Sequence, residues 1–131
     1  MDAPHISALV IGPSGRWRSS LCVLLQATPE ISAVHQADDR MAALQCIATT
    51  QPAIILLDCE LPGEEAWLTL GHIKRVWPQA RCVILSHDSA QAQRAEKSGA
   101  DAVLQVGFSG ETLYATIRGI LDHPSCHPGT C

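Results

Sequence analysis

Asp58 ends the apolar run AIILLD and Ser86 ends RCVILS, which puts one carboxylate and one hydroxyl at the close of two successive strand-like stretches. His87 follows Ser86, whereas the first such run is followed by Gly12 and Pro13 and the last by Val106 and Gly107. No second acid stands with this pair, and no nucleophile has an evident base and orienter, so no enzyme is expected. The stretch GPSGRW is no phosphate cradle either, because it lacks the Lys-Ser/Thr end of a P-loop. His123, Cys126, His127 and Cys131 in HPSCHPGTC are ligand types that suit zinc or copper. They lie on a Pro- and Gly-containing segment beyond the last helical pattern, and a flexible tail over residues 123–131 is the expectation.

Strand ends matter only if strands lead to them, and the chain alternates short β-branched runs with longer amphipathic segments. The strands are expected at 7–12, 31–37, 53–58, 81–86 and 102–105, three of them almost continuously apolar, as strands buried on both faces should be. Helices are expected at about 16–27, 39–50, 64–76, 89–98 and 109–121, with apolar residues at three- and four-residue intervals, as in Ala42, Leu44, Ile47 and Ala48. Thr28-Pro29, Gln51-Pro52, Trp77-Pro78 and Ser98-Gly99 close helical patterns where Pro or Gly would stop them. Strict alternation predicts an α/β domain with a parallel sheet covered on both faces, whose chemistry gathers beyond the carboxyl ends of the strands.

At 131 residues the chain has room for one domain, expected over 1–122. Hydrophobic residues make up 47% and charged residues 17%, which supplies a core and excludes disorder as the main state. A net charge of −4 argues against nucleic acid or an anionic membrane surface as the chief partner. The longest apolar stretches are far shorter than the roughly 20 residues of a membrane span, and the first residues lack the basic and apolar regions of a secretory signal. A cytoplasmic location is therefore expected, with Cys22, Cys46, Cys59 and Cys82 reduced and buried as small hydrophobes.

From about residue 6 to residue 122 the order of elements and the strand-end residues resemble the receiver domains of two-component response regulators. IILLDCELPG is similar to the phosphoacceptor strand and its loop, with Asp58 at the acceptor position, Glu60 in the loop and Pro62 at the family's four-residue offset. VILS puts Ser86 at the switch hydroxyl position, GADAVLQ resembles the approach to the fifth strand, and Arg18 lies where a basic residue often follows the first loop. The resemblance implies a flavodoxin-like (βα)5 doubly wound parallel sheet with strand order 2-1-3-4-5. It also implies a phosphorelay role and a sensor histidine kinase or another signalling protein as partner.

Four positions depart from the family pattern. Gly12 and Pro13 replace the pair of acids that, with the acceptor, hold magnesium; Val106 replaces the lysine after the fifth strand; Val103 replaces the aromatic switch residue. A hard divalent ion needs oxygen ligands of sufficient charge, so no cofactor is expected, magnesium included. Phosphoryl transfer depends on neutralising charge in the transition state, and with those groups missing phosphorylation at Asp58 is expected to be lost or atypical unless Arg16 or His87 supplies the charge. The alternative is a working switch that takes a phosphoryl group on Asp58 from a histidine kinase.

A contact surface needs no metal. In the family it lies on the fourth helix, fifth strand and fifth helix, where Arg94, Glu96, Lys97, Tyr114 and Arg118 are the polar and aromatic candidates for a partner or a homodimer. Trp17, Trp67 and Trp77 are expected in the core, and two of them exposed would mark a second interface. Many response regulators continue here into a DNA-binding effector and this sequence does not, so the expectation is a lone receiver or a fragment.

Overall fold

The computed structural model describes residues 6–122; the expected tail and its His and Cys residues lie outside them. The chain alternates β1 (Ile6–Ile11), α1 (Arg16–Gln26), β2 (Ile31–Ala37), α2 (Arg40–Thr50), β3 (Ile54–Asp58), α3 (Glu65–Val76), β4 (Arg81–Ser86), α4 (Ser89–Lys97), β5 (Ala102–Gln105) and α5 (Gly110–Asp122). All strand pairs are parallel, in the order β2-β1-β3-β4-β5, so the strand order implied by the family resemblance holds.

Period-two alternation inside the apolar strands divides the core into two layers. Ile55, Leu57, Cys82 and Ile84 pack with Ala43, Ile47, Leu70 and Ile73 beneath α2 and α3. Ile54, Leu56, Val83 and Leu85 pack with Leu21, Leu25, Leu113 and Ile117 beneath α1 and α5. Every residue of β3 is buried, which is why that strand reads as a continuous apolar run ending in a single acid.

Helix starts follow from their caps. The Asp39 side chain accepts from the Ala42 amide at 2.9 Å, and Asp88 accepts from the Gln91 amide at 2.8 Å. Asp39 thus caps α2 rather than lying inside it, and the helix begins one residue later than expected. α2 ends at Gln51 in the left-handed region (φ 49°), where Pro52 forbids continuation. β1 likewise stops at Ile11, one residue short of the expected boundary: the Gly12 amide still donates to the Ala37 carbonyl at 3.0 Å, but the chain bends there.

Two expectations about side chains are corrected. Cys46 is half-buried, its sulfur 3.4 Å from the Thr50 hydroxyl, because it sits on the flank of α2 rather than on its core stripe. The three tryptophans are neither fully buried nor exposed: each packs partly against a core layer, and Trp77 Nε1 donates to the Pro52 carbonyl at 2.9 Å.

Burial pushes the Cys82 thiol from its ordinary value of 9.0 up to about 12. The unfolded chain ionises this thiol above about pH 9 while the native state keeps it neutral, so the stability it contributes is complete below pH 9 and is lost as pH rises towards 12. Urea unfolding at about pH 8 and about pH 10.5 should show a loss of stability, and Cys82→Ala should shrink that loss, although its own stability at pH 8 is lower by about 1–2 kcal/mol.

Candidate functional site

Asp58 is 5% exposed at the carboxyl end of the central strand. A carboxylate withdrawn this far from water must find donors. Its Oδ1 receives two: the Glu60 amide at 2.9 Å, from the turn that follows β3, and His87 Nε2 at 2.8 Å, from the residue after β4. The other ring nitrogen of His87 lies 3.3 Å from Glu60 Oε1. The ring thus lies between two carboxylates. Acceptor position, loop acid and His87 therefore form one cluster on two adjacent loops.

The ring is held from its backbone as well. The His87 amide donates to Gln91 Oε1 at 2.6 Å, inside the turn that the Asp88 cap opens. Ser86 is fully buried, and its hydroxyl has no hydrogen-bond partner. Its carbonyl accepts from the Val106 amide at 2.8 Å, so Val106 meets the site through backbone, with no charge to offer. Val103 is half-buried against the core layer beneath α2, α3 and α4. Pro62 is exposed in the loop after β3, and its carbonyl accepts from the Glu65 amide at 3.2 Å as α3 begins.

On the β1 side the backbone closes in. A Cβ built on Gly12 would stand 2.9 Å from Asp58 Cβ and 3.4 Å from its Oδ2. Glycine is thus required by close approach, and any side chain there would have to displace the acceptor strand. Pro13 is exposed and brings no carboxylate. The cation on this side is Arg18, whose guanidinium donates to the Gly12 carbonyl at 2.9 Å and pairs with Asp38. Arg16, the other candidate for the missing charge, is exposed at the start of α1. Cys59, beside the acceptor, is pushed up to about 11, first by burial and then by the Asp58 charge, so it is no nucleophile at neutral pH.

Magnesium fits these residues poorly. Asp58 is the one carboxylate at the bottom of the site, its Oδ1 is taken by two donors, and Gly12 leaves no room for another acid. No group of three or more metal-ligating side chains occurs among the described residues.

His87 was visible in the sequence as a possible charge near Asp58; its direct contact was not, because it spans 29 residues and depends on how two loops meet. The bridge from α4 to α3 was not visible either. Arg94 pairs with Glu64 and lies 4.6 Å above the Trp67 ring, and the pairing holds the Glu64 carboxyl below its usual range. Arg118 is likewise engaged, with Glu30.

A doubly wound sheet ordered 2-1-3-4-5, with a buried carboxylate ending its central strand, defines a receiver-type flavodoxin-like domain. The chain matches the response regulator receiver domain over residues 9–118 and belongs to that family. It is 30% identical over 113 residues to the Fimbriae Z protein of Salmonella typhimurium, which covers 85% of this chain and 54% of that one. It is 31% identical over 93 residues to protein-glutamate methylesterase/protein-glutamine glutaminase 2 of Nitratidesulfovibrio vulgaris, covering 71% of this chain and 25% of that one. The chain thus spans about half of the first relative and a quarter of the second. Its fold resembles that of a LuxR-family two-component response regulator from Aurantimonas sp. SI85-9A1, at 24% identity, with a TM-score of 0.80 and coverage of 95% and 91% of the two chains. A CheY-like receiver domain protein from Methanospirillum hungatei JF-1 superposes with a TM-score of 0.77 at 18% identity, covering 92% and 95%.

Replacing Gly12 by the acid of the family pattern should damage this site instead of restoring it. Gly12→Asp is expected to lower stability in urea by about 1–3 kcal/mol, from overpacking against Asp58 and from a second negative charge beside it.

Proposed function

We propose that this receiver domain signals through protein contacts, without a magnesium-dependent phosphorylation cycle at Asp58 of the ordinary kind. The observation that carries this reading is the His87 ring, 2.8 Å from Asp58 Oδ1, on the carboxylate that would have to attack a phosphoryl group. A carboxylate whose Oδ1 is already bonded to an imidazole and a backbone amide is a weaker nucleophile at that oxygen. His87 and the Glu60 amide give the buried carboxylate two hydrogen-bond partners without a metal or a lysine. The same reading takes the domain as non-catalytic in itself and as working in the cytoplasm among signalling proteins, which membership of the receiver family supports; no described helix is long and apolar enough to cross a membrane.

Two surfaces suit a protein partner such as a sensor histidine kinase or an effector domain. Beside the site, Trp17, Leu21, Leu24, Val106 and Phe108 line an apolar depression of about 310 Å³ between α1 and the loop after β5. α4, β5 and α5 present a polar face on which Tyr114, 42% exposed, is the large apolar side chain. We assign that polar face to a transient partner rather than to a stable homodimer.

One observation favours the working switch as a second reading. Ser86 keeps a buried hydroxyl without a partner, and a phosphoryl oxygen on Asp58 could satisfy it if His87 swung out.

Amide NMR of the labelled chain, titrated with magnesium and then beryllofluoride, separates the two. The expected result is no saturable shift at Asp58, Ser86 or Val106 at millimolar magnesium. A saturable shift at those residues that disappears in Asp58→Asn would establish the switch and overturn the proposal.

A further inference from the structure

We infer that the free edge of β2 takes the same strand of a second copy of this chain, antiparallel, about a two-fold axis at Val34. In the order β2-β1-β3-β4-β5, β2 and β5 are the two edges of the sheet. An edge strand holds a row of main-chain donors and acceptors that its single neighbour does not use, and proteins blunt such rows with short strands, charges or proline. β5 follows that rule with four residues. β2 does not, since ISAVHQA is seven residues long and contains no proline, lysine, arginine or carboxylate. α1 and α2 cover its two faces, with Val34 against the layer beneath α1 and Ala37 in the layer beneath α2, and no described strand pairs with its outer side.

Which groups point outward follows from one bond. The Ala37 carbonyl accepts from the Gly12 amide, so Ala37 faces β1, and by alternation His35 and Ala33 face it too. The amides and carbonyls of Ser32, Val34 and Gln36 then face outward. That row is its own complement. With Val34 opposite Val34, Ser32 of each copy lies opposite Gln36 of the other, and six main-chain hydrogen bonds use every outward group of both strands. A register slipped by two residues leaves the last of these groups beyond the end of the other strand. The pairing is isologous, and it sets His35 opposite Ala33 with no like charges facing each other within the strands. Just beyond them Glu30 comes level with Asp38 of the other copy, and each acid is already paired in its own copy, with Arg118 and Arg18. Because β2 itself supplies both the matching length and the complementary pattern, the occupant is a second copy rather than an unrelated extended peptide. The contact is one strand, roughly 23 Å long, so the association should be reversible. It lies at the far edge of the sheet from β5, so it does not depend on the partner face of α4, β5 and α5.

Sedimentation and amide hydrogen exchange of the full chain, from low micromolar to submillimolar concentration, test the inference. The expected result is a rise towards twice the monomer mass, while protection of the Ser32, Val34 and Gln36 amides grows at least tenfold and that of Ala33, His35 and Ala37 stays level. Gln36→Pro removes one outward amide at an exposed edge position and should weaken the dissociation constant at least tenfold, whereas Tyr114→Glu on α5 should leave it unchanged. Ser32→Glu, also exposed and diagonal to Asp38 of the other copy, serves if the proline variant does not fold. A chain that stays monomeric throughout would overturn the inference. So would a dimer that Tyr114→Glu weakens and the β2 substitutions leave intact. Protection of the three outward amides already complete in the monomer would overturn it as well, since the chain would then cover this edge itself.

Discussion

A buried carboxylate has to be paired, and the need to pair Asp58 organises this domain's functional end. The central strand delivers the acid to 5% exposure. The surrounding positions then fail to neutralise it in the family's manner, since Gly12, Pro13 and Val106 carry no charge. The cost of leaving such a group unpaired is several kcal/mol, larger than any loop preference nearby. The loop after β4 responds by placing His87 on the carboxylate, and the loop after β3 by turning the Glu60 amide onto the same oxygen. Gly12 completes the arrangement from the third side by bringing backbone where a side chain would not fit.

Most of the fold could be read from the chain because its local signals agree. β2, β4 and β5 have the bounds that their β-branched runs mark, and the Pro and Gly stops lie where the helices end. Boundaries moved by a residue or so where a side-chain cap outweighed the apolar pattern, as at Asp39. The site divides differently. The places of Asp58 and Ser86 at the ends of β3 and β4, and of Gly12, Pro13 and Val106 just beyond β1 and β5, were legible from the apolar runs that lead to them, with Val103 inside β5. The partners of Asp58 were not, because they come from loops whose meeting depends on rotamers and on the closeness of Gly12. Cys46 and the tryptophans were misjudged for a related reason: helical spacing tells which stripe faces the sheet but not how far its flanks are covered by neighbouring helices.

The distribution of apolar surface is a second consequence of sequence that composition conceals. A chain that is 47% hydrophobic and only 17% charged cannot cover itself evenly with polar groups. α4 absorbs most of the shortage by being strongly polar, with Ala95 as its one buried residue. α2 sits at the other extreme, apolar on several sides and bordered by the exposed stripe of α3. The helices thus differ in how much apolar surface they leave uncovered, within a framework that the sheet holds at fixed positions.

The contact at Asp58 is also joined covalently to the start of α4. His87 precedes the Asp88 cap, its amide bonds the Gln91 side chain, and one turn later Arg94 is clamped to Glu64 and stacked on Trp67. The cap and the Gln91 bond fix the backbone from which the ring extends. Any event that drew the ring away would leave Asp58 buried with a single amide donor. That cost favours the state described here. In this chain the residue that contacts the buried carboxylate is thus also the residue that leads into the capped first turn of α4.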